Sequence, residues 1–260
     1  MERIKQAVVK MRRESDSVAV QAEQCEKGES EPRIGKTIVY RRTRIVPFSL
    51  TNSSRDRIVA ADPGDPRRSQ FGVLRTKVLQ EMEKNGWRTL AITSPRSGCG
   101  KTVVAINLAI KIAQMTDRTA LLVDFDFRRP QVANYLGITE GYSLADVLHG
   151  RADVADALVN PDMPRLLLMP MYQPEPNSAE LLSSSGVGDL IAELRTRYTD
   201  RVVIFDLPPL LGSDDAIAVL PKIDCVLLVV GDRESSWAEI EESMEHLSSA
   251  SFLGTVLNKN

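Results

Sequence analysis

Nine consecutive residues, Ser94–Thr102 (SPRSGCGKT), constrain this chain more than any other stretch. Before them RTLAIT, residues 88–93, reads as a buried strand. After them VVAINLAIKIAQ, residues 103–114, reads as an apolar helix. A strand, a Gly-rich turn, Gly-Lys-Thr and a helix form the layout of a phosphate-binding loop. Gly98 and Gly100 lack a Cβ, so the backbone there can curl and turn its N–H groups toward phosphate oxygens. The helix expected to begin at Lys101 adds the positive end of its dipole. The Lys101 ammonium is then within reach of β- and γ-phosphates, and the Thr102 hydroxyl is placed to ligate Mg²⁺. Pro95 stands where the usual pattern has glycine, five residues before Gly100.

The pattern around the loop predicts an α/β fold. Residues 69–86 read as a helix with Phe71, Leu74, Val78, Leu79 and Met82 on one stripe and Gly86 as its stop. Apolar strands are expected in TALLVDFDFRRP, RLLLMP, RVVIFDLPP, CVLLVV and FLGTVLN. Helical segments are expected in GYSLADVLHG, SAELLSSSGVGDLIAELRTRY and SSWAEIEESMEHLSSA. Near-continuous apolar strands alternating with helices imply a mostly parallel sheet covered on both faces. Ligands in such folds sit beyond the carboxyl ends of the strands. Ser94, Asp124, Asp206 and Asn258 stand at or just past such ends, which predicts that they converge.

Residues 1–68 differ in character. Met1–Ser15 reads as a short basic helix with Ile4, Ala7, Val8 and Met11 on one face. Residues 16–68 read as a largely disordered linker around one candidate strand, Lys36–Phe48. The expected organisation is thus an arm, 1–68, and a nucleotide-binding domain, 69–260. A net charge of −2 gives no drive toward nucleic acid. No apolar run approaches the ~20 residues that span a bilayer. The start lacks the apolar core of a signal peptide. The three scattered cysteines, Cys25, Cys99 and Cys225, fit a reducing cytoplasm better than a disulfide framework or a zinc site.

Three carboxylates complete the chemistry. Asp206 ends an apolar strand, where a carboxylate can hold Mg²⁺ directly or through water. Asp124 and Asp126 are two apart at another strand end, so an extended backbone points both to one face. One can bind metal and the other can accept a proton from an attacking hydroxyl. Arg128 and Arg129 are candidates to stabilise transferring phosphate or to grip a partner.

The segments GCGKT, LLVDFDFRRP and VVIFDLPP, in that order, resemble the Walker A, Walker A′ and Walker B motifs of bacterial tyrosine kinases. These cytoplasmic autokinases of capsule and exopolysaccharide synthesis are relatives of the MinD/ParA ATPases. The resemblance runs from Ser69 to Lys259 and includes QFGVLRT, GYSLADVLHG, PNSAELLSS, DDAIAVLPKIDCVLLVV and GTVLNK. It implies a deviant-Walker P-loop NTPase fold that binds ATP and Mg²⁺. It implies nucleotide contacts from Gly98, Cys99, Gly100, Lys101, Thr102 and Val103, with Asn258 at the adenine. It implies catalytic roles for Lys101, Asp124, Asp126 and Asp206, with Asp126 as base, and metal ligation by Thr102, Asp124 and Asp206. It further implies activation by the cytoplasmic tail of a membrane polysaccharide copolymerase, recruitment to the inner face of the plasma membrane, and a homo-oligomer.

The family's C-terminal tyrosine cluster has no counterpart after Tyr198 here, so Tyr40 is the expected phosphoacceptor. Of the family's Glu-x-x-Arg-x-x-Arg ring motif only Arg75 is kept; Ser69 and Gly72 replace the earlier charges. The alternative reading is a non-kinase MinD/ParA-like ATPase whose nucleotide state controls docking on an export complex. A dinucleotide reductase is disfavoured, since no GxGxxG follows the first strand. Cys99, between two glycines and beside Lys101, reads either as a redox-sensitive thiol or, more plainly, as a small side chain turned away from the phosphates in a tight loop. Lys101→Met is expected to abolish nucleotide-dependent activity with the fold intact.

Overall fold

A computed structural model describes residues 43–50 and 57–258. The expected basic helix at Met1–Ser15, the linker before residue 43 and the acceptor Tyr40 lie outside the described residues. Strands β1 (Arg44–Ile45), β2 (Thr89–Thr93), β3 (Thr119–Asp124), β4 (Val159–Asn160), β5 (Leu166–Met169), β6 (Arg201–Asp206), β7 (Cys225–Gly231) and β8 (Phe252–Asn258) form one sheet. Their order is β1-β4-β5-β3-β6-β2-β7-β8. From β5 to β8 every pairing is parallel, as the βα alternation predicts. The parallel run stops at β4, which pairs antiparallel with β5. β1 pairs parallel with β4 and so runs against the main strands.

The helices are α1 (Arg68–Asn85), α2 (Lys101–Ala113), α3 (Val132–Leu136), α4 (Leu144–Leu148), α5 (Val154–Ala157), α6 (Ser178–Ser183), α7 (Ser185–Thr196), α8 (Asp215–Val219) and α9 (Trp237–His246). Side chains alternate across the sheet because a strand's period is two. In β3, Ala120 and Leu122 join the apolar layer that contains α1, α2 and α3. Leu121 and Val123 join the opposite layer, with Phe125, Phe127, α4 and α7. Covering on both faces is why the central strands are buried at every position rather than at every second one. α2 is apolar almost all round for the same reason: it is packed between the sheet, α1 and the segment 59–61, and only Val103 of its residues is not buried. α1 ends where glycine punctuation predicts, with Gly86 in the left-handed region at φ 68° and its N–H donating to Glu83 O.

One expectation is corrected. Residues 57–62 carry no periodic signal and read as linker, yet Ile58 and Ala60 are fully buried. Asn107 of α2 accounts for this. Its Oδ1 accepts the Ala60 N–H at 2.8 Å, and its Nδ2 donates to Arg57 O and Val103 O, each at 2.8 Å. A buried side-chain amide thus supplies hydrogen bonds that the single 3-10 turn Val59–Ala61 leaves unmade. Replacing Asn107 by Ala should therefore cost about 2–3 kcal/mol in urea denaturation, because it strands buried backbone groups. A change below about 0.5 kcal/mol would show that the segment is held by apolar packing alone.

Candidate functional site

The loop between β2 and α2 has the shape its glycines allow. Gly98 and Gly100 have φ of 92° and 86°, which side chains with a Cβ rarely adopt. Gly100 is constrained twice, because a Cβ there would collide with Asn258 Nδ2. That Nδ2 donates to Cys99 O at 3.0 Å, so the end of β8 is fastened directly to the loop. Arg96, at the loop's outer side, pairs with Glu239 of α9 at 2.6 Å.

Lys101 opens α2 and is almost wholly buried. Its Nζ lies 2.9 Å from Asp126 Oδ2 and 3.5 Å from Asp206 Oδ1. Thr102 Oγ1 donates to Asp206 Oδ2 at 2.6 Å. Asp124 and Asp206 are Cα partners across β3 and β6, so sheet register sets these two strand-end carboxylates side by side. Ser94 is buried at the end of β2, and its Oγ donates to Arg96 O at 2.7 Å, bracing the loop. The strand-end residues thus gather where the sequence predicts.

The geometry of the acidic pair differs from the extended arrangement predicted. β3 ends at Asp124, and the chain then turns. Asp124 is consumed by this turn: Oδ2 accepts the N–H groups of Gln131 and Val132 at 3.0 and 2.9 Å, and Oδ1 accepts that of Asp126 at 3.3 Å. The turn, not a shared strand face, brings Asp126 to Lys101. Asp126 Oδ1 also accepts the Arg129 N–H at 3.0 Å. Arg128 points elsewhere, forming a two-point pair with Asp215 at 2.8 and 3.2 Å. Asp215 and its second partner Ser178 were not singled out from sequence, although both lie in segments that carry the family resemblance. Cys99 is fully buried with Sγ 3.3 Å from Ser235 Oγ, which fits the plainer of its two readings, a packed small side chain.

The electrostatics follow from burial. Burial disfavours the Lys101 ammonium, but the charges of Asp206 and Asp126 outweigh it and hold the lysine above its ordinary pKa. Burial, reinforced by the Asp206 charge, pushes the Asp124 carboxyl up to about 8 against the opposing pull of the Val132 N–H and Lys101. Asp206 is raised by burial as well, opposed by Lys101 and the Thr102 hydroxyl. Among the described residues its Oδ1 is buried without a hydrogen-bond partner, 3.5 Å from the Lys101 ammonium. Such an oxygen beside a threonine hydroxyl suits a hard divalent cation, so Asp206 and Thr102 fit Mg²⁺.

On the outer side of the loop lies a cavity of about 920 Å³. Gly98, Gly100, Val103 and Asn258 line it, with Phe71, Arg57 and Arg67 opposite. It has the size and the mixed apolar and polar lining of a small-molecule site. Arg57 and Arg67 carry no motif and could not be read as lining residues, since their placement depends on the packing of residues 57–68.

Removing the Lys101 ammonium leaves buried carboxylates without a counter-charge, so the expectation of an intact fold in Lys101→Met is revised. A carboxylate with a raised folded pKa stabilises the fold below the unfolded carboxylate range, and that contribution is lost as pH rises through about 8. The nucleotide-free variant should be about 3–5 kcal/mol less stable than the parent at pH 9, with the gap narrowing toward pH 5. Urea denaturation across that range checks this, and a pH-independent gap would contradict it.

Residues 90–259 match the CobQ/CobB/MinD/ParA nucleotide binding domain family. The chain is 30% identical over 203 residues to the tyrosine-protein kinase wzc of Salmonella typhi, covering 77% of this chain and 28% of that relative's length. It is 30% identical over 192 residues to the tyrosine-protein kinase CpsD of Streptococcus agalactiae, covering 73% of this chain and 82% of the relative. The kinase domain of the Escherichia coli tyrosine kinase ETK has the same fold, with a TM-score of 0.73 and 26% identity over 89% of this chain and 95% of that domain. The loop, the cavity and these matches describe a nucleotide-binding domain, and the chain belongs to the bacterial tyrosine-protein kinases within the CobQ/CobB/MinD/ParA family.

Proposed function

We propose that this chain binds ATP with Mg²⁺ and transfers the γ-phosphoryl group to a tyrosine hydroxyl, in control of exopolysaccharide or capsule synthesis and export. The observation that carries this reading is the buried Lys101 ammonium, held between Asp126 and Asp206 at the start of α2. Backbone N–H groups from Gly98 to Val103 and the α2 dipole would receive the phosphates. Lys101 would exchange its carboxylate partners for phosphate oxygens. Asn258 and the cavity beside it would take the adenine.

Thr102 and Asp206 would hold Mg²⁺, with Asp124 behind them keeping the 124–132 turn in place. Mg²⁺, when bound, offsets charge on the phosphates. Asp126 is the proposed base, because it is the acid of the three that borders Lys101 without ending a strand. It takes the phenolic proton as the new oxygen–phosphorus bond forms. The bond from γ-phosphorus to the bridging oxygen breaks, and ADP leaves.

No helix among the described residues is long and apolar enough to cross a membrane. As part of this proposal, and following the family resemblance, the chain works in the cytoplasm and is recruited to the membrane by the cytoplasmic tail of a polysaccharide copolymerase that activates it. Self-association remains part of this reading, although Arg75 here bonds within the chain to Lys111 O at 3.5 Å.

Labelled ATP, with a Glu–Tyr copolymer as acceptor and with or without the partner tail, tests the proposal. Asp126→Asn should lower transfer about 10²- to 10⁴-fold while changing ADP affinity little, since it removes a base rather than a phosphate contact. ATP hydrolysis without phosphotyrosine would favour the ATPase reading instead. Normal transfer with lost affinity would reverse the role given to Asp126.

A further inference from the structure

The nucleotide cavity takes up only part of the carboxyl rim. β2 leads into the phosphate loop, and β7 and β8 lie on one side of it, so the cavity beside Asn258 is on the β8 side of Lys101. On the other side of β2 come β6, β3 and β5. The turn that brings Asp126 to Lys101 follows β3, and residues 170–177 follow β5. These two neighbouring segments, with the start of α6, enclose a separate cleft of about 470 Å³. Arg128, Pro174, Glu175, Pro176, Ala179 and Glu180 line it. Cavity and cleft also belong to opposite layers. Leu74 and Val104 pack in the layer of α1 and α2, whereas Leu181 of α6 and Ala216 of α8 pack in the other.

A nucleotide whose base lies by Asn258 turns its γ-phosphate toward Lys101, and so toward β6 and β3. The acceptor hydroxyl must arrive roughly in line with the bond that breaks, from the side away from the leaving nucleotide. The cleft stands on that side. Arg128 in its wall follows the proposed base Asp126 by two residues, at most about 7 Å of chain.

The walls are held in place. The Glu175 N–H donates to Phe127 O at 2.8 Å, which joins the segment after β5 to the Asp126 turn. Glu175 Oε1 accepts the Asn177 N–H at 3.2 Å, and Oε2 lies 3.1 Å from His149 Nε2. Pro174 and Pro176 flank Glu175 with fixed φ. Arg128 spends Nε and Nη2 on Asp215, whose buried carboxylate also accepts the Ser178 hydroxyl at 3.4 Å.

Charge decides what fits. The Arg128 cation is matched by Asp215. Glu175 stays ionised, because His149 and the Asn177 N–H hold its carboxyl below the usual range. Glu180 is exposed and forms no ion pair among the described residues. Asp214 is exposed near Arg128 and adds a further carboxylate. The cleft therefore presents negative charge that the chain leaves unmatched, next to a cluster already rich in acids.

We infer that this cleft binds the acceptor segment of a substrate protein and selects tyrosines that have a lysine or arginine one or two residues away. This rests on the kinase reading above. The cation lies against Glu175 and Glu180, and the prolines meet the apolar part of the segment. The tyrosine Oη takes the γ-phosphoryl group, its proton passes to Asp126, and ADP is released.

The test uses labelled peptides that differ only in the residues flanking one tyrosine: lysine, alanine or glutamate. They are titrated with the full chain saturated with Mg·ADP, and fluorescence anisotropy reads their affinity. The lysine peptide should bind about 3- to 10-fold more tightly than the alanine one, as surface charge contacts allow, and the glutamate peptide most weakly. High salt should compress this order. Glu180→Lys should cancel the preference, and Ala179→Trp, which fills the cleft, should weaken all the peptides. Neither variant should alter ADP affinity. With Mg·ATP, phosphate transfer should follow the same order, so a Lys–Tyr copolymer should be a better acceptor than a Glu–Tyr one. Equal affinities, or a preference that survives both variants, overturns the inference and leaves the kinase reading standing. Ordered binding without phosphate transfer to any peptide overturns the kinase reading and leaves the cleft as a site for basic peptides.

Discussion

A lysine ammonium enclosed by carboxylates is the interaction on which the rest of this structure depends. Lys101, Asp124, Asp126 and Asp206 are all nearly or fully removed from water. One cation is surrounded by three acids at low dielectric, and burial raises the Asp124 carboxyl to about 8 and raises Asp206 as well. The same imbalance makes the site receptive. A divalent cation arriving with a nucleotide supplies the missing positive charge, and the phosphates give Lys101 a second set of oxygens. A cluster that is over-acidic when empty is suited to a metal-bound polyanion and poorly suited to a bare one.

The scaffold serves this cluster in specific ways. Register between β3 and β6 pairs Asp124 with Asp206. Asp124 spends its oxygens on the N–H groups of Asp126, Gln131 and Val132, so it shapes the turn that delivers Asp126. Gly100 admits the Asn258 amide, which ties the last strand to the phosphate loop. Arg96–Glu239 and Cys99–Ser235 tie the loop to the start of α9 and the turn before it. Changes in loop geometry on nucleotide binding would therefore be felt at β8 and α9.

Much of this was legible in the sequence because it depends on short-range rules. Glycine at positive φ, an apolar run ended by a carboxylate, and Gly86 closing α1 each announce themselves locally. What sequence missed depends on contacts between distant segments. The burial of Ile58 and Ala60 requires Asn107, which looks like an ordinary polar residue in an apolar helix. The approach of Asp126 to Lys101 depends on a turn whose hydrogen bonds come from residues 131 and 132, so the i, i+2 spacing gave the right pair for the wrong geometric reason. The Arg128–Asp215 pair joins residues 87 positions apart and had no pattern to reveal it. The antiparallel β4–β5 pairing, which reverses β1, rests on a two-residue strand too short to read.

The central claim is that nucleotide and its cation enter an over-acidic cluster and discharge its bound proton. Calorimetric titration of Mg·ADP into the nucleotide-free protein at pH 7.5, in buffers of different ionisation enthalpy, measures this directly. The account predicts saturable binding with release of about one proton per site, seen as a heat that varies with the buffer. Binding whose heat is the same in every buffer, or proton uptake in place of release, would contradict it.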